Sequence, residues 1–409
     1  MQVFFSGATE IEAFNSKIIS PIEMNNKVLK FVSEVEHVGT VRSTTGNLPH
    51  ILARITAHRR AMFAILPLGL SQRHRSNPAA SINAYQTYCT PVLLSCVAAL
   101  GLKNSEVITI AQTRKTSLQQ LQKLLPKTPR SVIFFLGGQL PGEALVHLRQ
   151  LTLFRMICHT PNSVLHKMGT YILSTSKLTS TSWFLHIRKL TLKYNLPPPL
   201  VLLQYPPARR AFKSLIRSKV LDYWEVKLRH EASTLRSLSY FKPQFMSLQK
   251  PHPLWQTCGS NPFEVNKAVI QARMLSGRYQ TEQLARHWSV NTEGTCQLPN
   301  CTGKEVGSLE HILLFCQALQ PVRNRMIRLA FEVSQESEYL YTIIQWALCH
   351  TNKTILMQFL IDCSSLPIVI RAAQQCGNDL VSRLFHVSRN WCYSMHRARM
   401  NILGLSQYR

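Results

Sequence analysis

Three thiols and one imidazole stand closer together along this chain than any other set of groups able to do chemistry. Cys296 and Cys301 are separated by four residues, His311 follows after nine more, and Cys316 after another four. Soft thiolates joined by an imidazole, arriving as two close pairs, suit tetrahedral zinc. Pro299 and Gly303 supply turn chemistry for the first pair. The segment LEHILLFC sets the second pair on a helical stretch and leaves Ile312, Leu313 and Phe315 to pack. Four protein ligands close the coordination shell, so the expected cofactor is a structural zinc and not a catalytic one. Alone, His311 would read as a buried histidine on an apolar face; its place downstream of a cysteine pair and five residues before Cys316 turns it toward a ligand role. The competing reading is chance proximity in a chain with 11 cysteines.

A second constellation is cationic. Arg210, Lys213, Arg217 and Trp224 fall on one side of a helix that begins after Pro207, with Phe212, Leu215, Ile216 and Val220 on another. Cations neutralise phosphates and an indole stacks on bases, so this stripe suits a nucleic-acid strand; a solvated face is the alternative for any one such helix. ITAHRRA offers a similar surface through Arg54, Arg59 and Arg60, and Arg323, Arg325 and Arg328 follow the Cys/His cluster. There are 47 Lys plus Arg against 20 Asp plus Glu, a formal net charge of +27. That surplus concentrates polyanions. The expected partners are RNA, an RNA–DNA hybrid or DNA, with no membrane and no small-molecule substrate; acidic lipid or acidic protein is the alternative explanation of the charge.

The acidic side argues against several enzyme classes. The chain has only three aspartates, Asp222, Asp362 and Asp379, scattered far apart. No Walker-type phosphate loop, H-E-x-x-H or G-x-S-x-G occurs. The cysteines are odd in number and mostly single in apolar stretches, unlike a disulfide framework. MQVFFSGATEIEAF has no basic n-region and acquires a glutamate within ten residues, unlike a presequence. The longest apolar run noted, PVLLSCVAALGL, is short of the ~20 residues of a membrane span. A reducing intracellular setting, nucleus or cytoplasm, is expected, where clustered cysteines more often hold metal.

Helices must position most of these residues. The first forty residues alternate like one or two hairpins, broken by Gly39. From Leu48, the residues Ile51, Ile55, Met62 and Leu66 share a face at about 100° per residue, until Pro67 and Gly69 stop the pattern. Further helices are expected over Ala80–Leu102 with a break at Pro91, and over Ser117–Leu125, Gly142–Ile157, Ala208–Ala232 and roughly Val322–Leu405. Gly137 and Gly138 in FFLGGQLPGEA read as a turn after a strand-like run, and KPHPLWQTCGSNPF as loop. The expected fold class is mainly α with a short N-terminal β-hairpin region, a helical thumb and linker, and a small Cys/His zinc-knuckle module. The segments are a hairpin region over 1–45, a thumb-like helical domain over 46–160, a basic helical linker over 161–270, the CCHC region over 271–330 and a helical end over 331–409.

These features in this order resemble the C-terminal part of non-LTR (LINE-type) retrotransposon reverse transcriptases. VEHVGTVRS, Val35 to Ser43, looks like the hairpin at the end of the polymerase palm. LARITAHRRAMFAILPLGL and INAYQTYCTPVLL are similar to the thumb helices, and IFFLGGQLPGEALVHLRQLTLF, WFLHIRKLTLKYNLPPP and HPLW to the linker that follows. The Cys/His knuckle closes a resemblance covering roughly residues 1–330. It implies reverse-transcriptase lineage and a nucleic-acid-binding role. The family's polymerase centre uses an aromatic-x-Asp-Asp turn and an upstream aspartate to hold two magnesium ions, and no such acidic pair is present here. This chain alone is therefore expected to lack polymerase activity, with no catalytic residue assigned. Two alternatives stand beside that reading: the thumb and C-terminal part of an RNA-directed DNA polymerase completed by a separately supplied palm, and a structural zinc-containing interaction protein.

Overall fold

The computed structural model describes residues 2–6, 10–14, 23–24, 27–28, 30–31, 34–37, 39–68, 76–176, 182–286, 293–301 and 305–405. Near the start, Gln2–Ser6 pairs antiparallel with Glu10–Phe14, and Lys30–Phe31 joins Glu10–Ile11 in parallel. Glu34–His37 pairs antiparallel with Thr40–Ser43, His37 opposite Thr40. Gly39 sits in that turn at φ +73°, a conformation available to glycine at little steric cost. The remainder is helical, in agreement with a mainly α chain carrying a short N-terminal β region.

The described chain forms two compact units. One gathers Met1–Leu68, Asn83–Thr116 and Leu140–Val226. Its core is built by helix Leu48–Ile65, which turns Ile51 and Ile55 onto Leu93, Val97, Ile110 and Val146. His50 Nδ1 accepts the Val41 N–H (3.2 Å) and so ties this helix to the hairpin. Helix Asn104–Leu121 begins thirteen residues before the expected Ser117. Its start is fixed by the Glu106 carboxylate accepting the Lys103 N–H (2.7 Å), a reciprocal cap that works over three residues and leaves no mark in the apolar pattern.

The other unit gathers Gly69–Ile82, Ser117–Gln139 and Lys227–Arg409. Its centre is helix Asn378–Ile402, whose Leu384, Phe385, Ser388, Trp391, Cys392 and Met395 are all buried at three- and four-residue spacing. Helices Pro262–Leu275, Gln320–Ser334, Lys353–Asp362 and Pro367–Cys376 pack around it. Lys353–Cys376 is long and apolar enough to cross a membrane by composition, beyond the dozen-residue run noted above, but 67% of its most apolar window is buried inside the protein.

The strand-like run before Gly137 is in fact the helix Arg130–Gly137, with every residue from Ser131 onward buried. A segment apolar on all sides carries no period, so its pattern cannot separate a core strand from a core helix. Gly138 ends it at φ +61°, and a Cβ there would lie 2.1 Å from the Lys250 carbonyl carbon. This close approach lets His252 N–H donate to Leu136 O (2.9 Å). The stretch expected as loop after Lys250 also contains the helical turn Pro253–Gln256 and the start of Pro262–Leu275.

Candidate metal centre and basic surfaces

A short backbone frame holds the cluster. Cys296 N–H donates to Glu305 O and Gly307 N–H to Gly294 O, both at 2.9 Å, while Thr295 bridges Val306 antiparallel. Inside this frame Asn300 adopts φ +64°, and Cys301 N–H donates back to Leu298 O (3.2 Å). The turn that faces Cys301 toward the other ligands thus depends on Asn300, one of the few side chains that tolerates the left-handed region. Gly303, the other residue expected to help, lies outside the described residues. On the far side, His311–Phe315 forms a single π-helical turn closed by Cys316 N–H donating to His311 O (2.7 Å).

The four side chains converge. Cys296 Sγ lies 3.9 Å from Cys316 Sγ, and Cys301 Sγ lies 3.4 Å from His311 Nε2. All four ligand atoms fall within 4.8 Å of one another, so the group can hold a metal ion. Glu305 Oε2 sits 2.5 Å from His311 Nδ1. That contact puts the ring proton on Nδ1 and leaves the Nε2 lone pair facing the thiols. Burial pushes the Cys296 thiol up to about 12 and the Cys316 thiol in the same direction. Backbone N–H groups oppose this, from Leu298 toward Cys296 and from Ala318 and Leu319 toward Cys316. A bound cation adds to those N–H groups in favouring the thiolates.

Arg323 belongs to this centre and not to a nucleic-acid surface. It is 7% exposed; its Nε donates to Leu313 O (3.2 Å) and its Nη2 to Cys316 O (2.9 Å). The guanidinium therefore satisfies carbonyls left over by the π turn. Arg325 and Arg328, on the same helix, face solvent. Glu305 and Arg323 are the functional neighbours that spacing alone misses, because both act from irregular turns.

On helix Arg209–Ser233 the structure separates residues that the sequence reading grouped. Arg210, Lys213 and Arg217 are exposed. Trp224 is fully buried and donates Nε1–H to Tyr194 Oη (3.1 Å). It continues the four-residue repeat Phe212, Ile216, Val220, Trp224, Leu228, all buried, so it anchors the helix and presents no face for base stacking. Arg59 and Arg60 are exposed on helix Leu48–Ile65, and Arg54 is half-buried.

The three aspartates do not meet. Asp222 is exposed, and Asp379 pairs with Arg383 (2.8 Å). Asp362 is fully buried, 3.5 Å from His252 Nε2, and accepts a hydrogen bond from Ser364 Oγ (2.6 Å). These side chains have the composition of a hydrolytic triad but not its wiring. His252 Nδ1 already accepts the Leu254 N–H (3.2 Å), so the ring proton sits on Nε2 and no lone pair faces Ser364. Comparison with protein-family models, curated proteins and solved structures returned no match.

Proposed function

We propose that this chain is a nucleic-acid-binding module organised around a structural zinc ion, derived from a LINE-type reverse transcriptase. The metal identity is argued from size. For Zn–S near ~2.3 Å and Zn–N near ~2.05 Å, a tetrahedron has edges of roughly 3.8 Å between sulfurs and roughly 3.6 Å between sulfur and nitrogen. The edges of 3.9 and 3.4 Å match that ion. Three thiolates and a neutral imidazole leave a zinc complex one negative charge in excess, and the buried Arg323 guanidinium beside Cys316 offsets it. With four protein ligands, no position remains for water or substrate, so the ion serves folding.

The observation that carries the binding role is a row of solvent-facing cations, Arg210, Lys213 and Arg217, on a chain of net charge +27. No acidic residue occupies the first turn of their helix, which instead begins with Arg209 and Arg210. Cations at the positive end of a helix macrodipole are disfavoured until an anion joins them. RNA, an RNA–DNA hybrid or DNA supplies such anions. The lineage rests on the order of sequence phrases described above.

The test is affinity for a structured RNA against salt, for the wild-type chain and for the Arg210→Ala/Lys213→Ala/Arg217→Ala variant. Each phosphate neutralised contributes ~0.7–0.9 to the log–log slope, so losing three contacts should flatten it by about 2–3. A slope unchanged in the variant would remove this helix as the contact surface.

A further inference from the structure

The unit that carries the Cys/His cluster also contains a cavity of about 560 Å³. Ligand pockets commonly enclose about 300–1,000 Å³, so this one is large enough for a molecule of nucleotide size. Its walls come from four places in sequence: the loop 125–127, the turn and short helix 278–285, Gln297 between the first two cluster cysteines, and the end of the last helix. Three cations and one anion line it, Lys127, Arg278 and Arg399 against Glu282. Glu282 is taken by Arg399, with Oε1 2.9 Å from Nη2 and both side chains at most 7% exposed. Arg399 Nη1 also donates to Gln280 O (2.8 Å). The cavity charge therefore comes from Lys127 and Arg278, and Arg278 Nε is buried with no hydrogen-bond partner.

The remaining walls are of two kinds. Leu125, Leu284 and Leu403 give apolar surface, while Gln280 and Gln297 are exposed amides, each able to donate and accept. Lys127 adds an independent sign of selection for the site. It holds φ +63°, where glycine or asparagine would sit with less strain than lysine. A cation kept in a conformation that disfavours its own residue type is one whose charge matters at that spot.

We propose that this cavity binds a nucleoside monophosphate unit, with the phosphate on Lys127 and Arg278, the base among the leucines, and its edge read by Gln280 and Gln297. The choice of ligand builds on the nucleic-acid reading, but the site is tested separately from the basic helix. The unit can be a free nucleotide or a nucleotide splayed out of a strand, the form in which single-stranded RNA is read.

The experiment titrates the full-length protein with 5′-AMP, 5′-UMP and inorganic phosphate by calorimetry, and asks whether 5′-AMP displaces a short single-stranded RNA. Lys127→Asn keeps a residue that tolerates the left-handed region and removes the charge. It should weaken 5′-AMP binding about tenfold, equivalent to about 1.4 kcal/mol, without lowering the Tm. Leu403→Trp fills the cavity and should abolish binding. Displacement of the RNA identifies a strand as the source, and binding without displacement identifies free nucleotide; both uphold the site. The proposal fails if neither nucleotide binds at millimolar concentration, if both variants bind as wild type, or if phosphate alone binds as tightly as 5′-AMP. RNA binding with its salt slope intact alongside such a failure leaves the basic-helix reading standing, so the two fail separately.

Discussion

Replacing Cys301 with serine should release the metal and unfold the stretch 293–301 while the last helix stays formed. The size of the effect follows from how little else holds this loop. Ordering its backbone costs roughly 1–2 kcal/mol per residue, so about 9–18 kcal/mol over the stretch. Leu298, 3% exposed, is its one large buried apolar side chain and contributes about 1.5–3 kcal/mol. The frame bonds from Cys296 N–H to Glu305 O and from Gly307 N–H to Gly294 O add about 1 kcal/mol each. The shortfall is of the size that structural zinc supplies, about 10–16 kcal/mol. Elemental analysis should find one zinc per chain in the wild type and none in Cys301→Ser. Amide exchange should show protection lost across 293–301 and kept across Asn378–Ile402, whose core of Phe385, Trp391 and Met395 needs no metal. Cys349→Ser is the control, because Cys349 is exposed and away from the cluster, whereas Cys363 is fully buried and its loss would perturb packing. Equal zinc in Cys301→Ser and wild type would refute the ligand set.

Three further outcomes follow. His58 is 1% exposed, and burial, with Arg114 and Arg59 nearby, pushes its imidazole from 6.5 down to about 4. The unfolded chain takes up that proton first as pH falls, so stability should be full above pH 6.5 and decline toward pH 4. The decline should approach 1.4 kcal/mol per pH unit, about 3 kcal/mol in all; urea unfolding of His58→Gln should lack that component, and an identical pH profile would count against it. Trp224→Phe should cost about 1 kcal/mol through the lost Tyr194 bond and Trp224→Ala about 3–5 kcal/mol, with RNA affinity of the folded protein unchanged in both. The purified chain should not extend a primer on an RNA template in magnesium or manganese, since two-metal phosphoryl transfer needs converging carboxylates; template-dependent incorporation lost on replacing Glu34 and Glu36 would overturn this.

Much of the helical layout was legible because it follows from surface amphipathicity. The span expected as Ala208–Ala232 is Arg209–Ser233, and Gly142–Ile157 is Gly142–Cys158. Legibility failed where a helix is apolar on every side, as at Arg130–Gly137, or polar along its middle, as at Asn104–Leu121. In the first, burial all round erases the period; in the second, the start is set by the Glu106 carboxylate. The assembly of two units from interleaved stretches was hidden for a different reason. It depends on contacts such as Trp255 Nε1–H to Gln122 Oε1 (3.1 Å), made across more than a hundred residues of chain.

The metal ligands were readable from spacing because a small ion allows few chain lengths between donors that must meet within a few ångströms. No comparable constraint acts on a binding surface, where cations need only face outward. Reading a helix by its charged residues alone therefore joined Trp224 to Arg210, Lys213 and Arg217, although its spacing of four from Val220 puts it on the buried stripe. Arg323 was misread for the same reason. Charge was taken as exposure, yet a guanidinium carries enough donors to replace water, and here it serves Leu313 O and Cys316 O beside the metal ligands. An arginine next to a cysteine ligand is thus weaker evidence for phosphate contact than one three or four residues further along. That ordering favours Arg325 and Arg328, which are exposed, over Arg323 as the residues of this helix whose replacement should lower the salt slope.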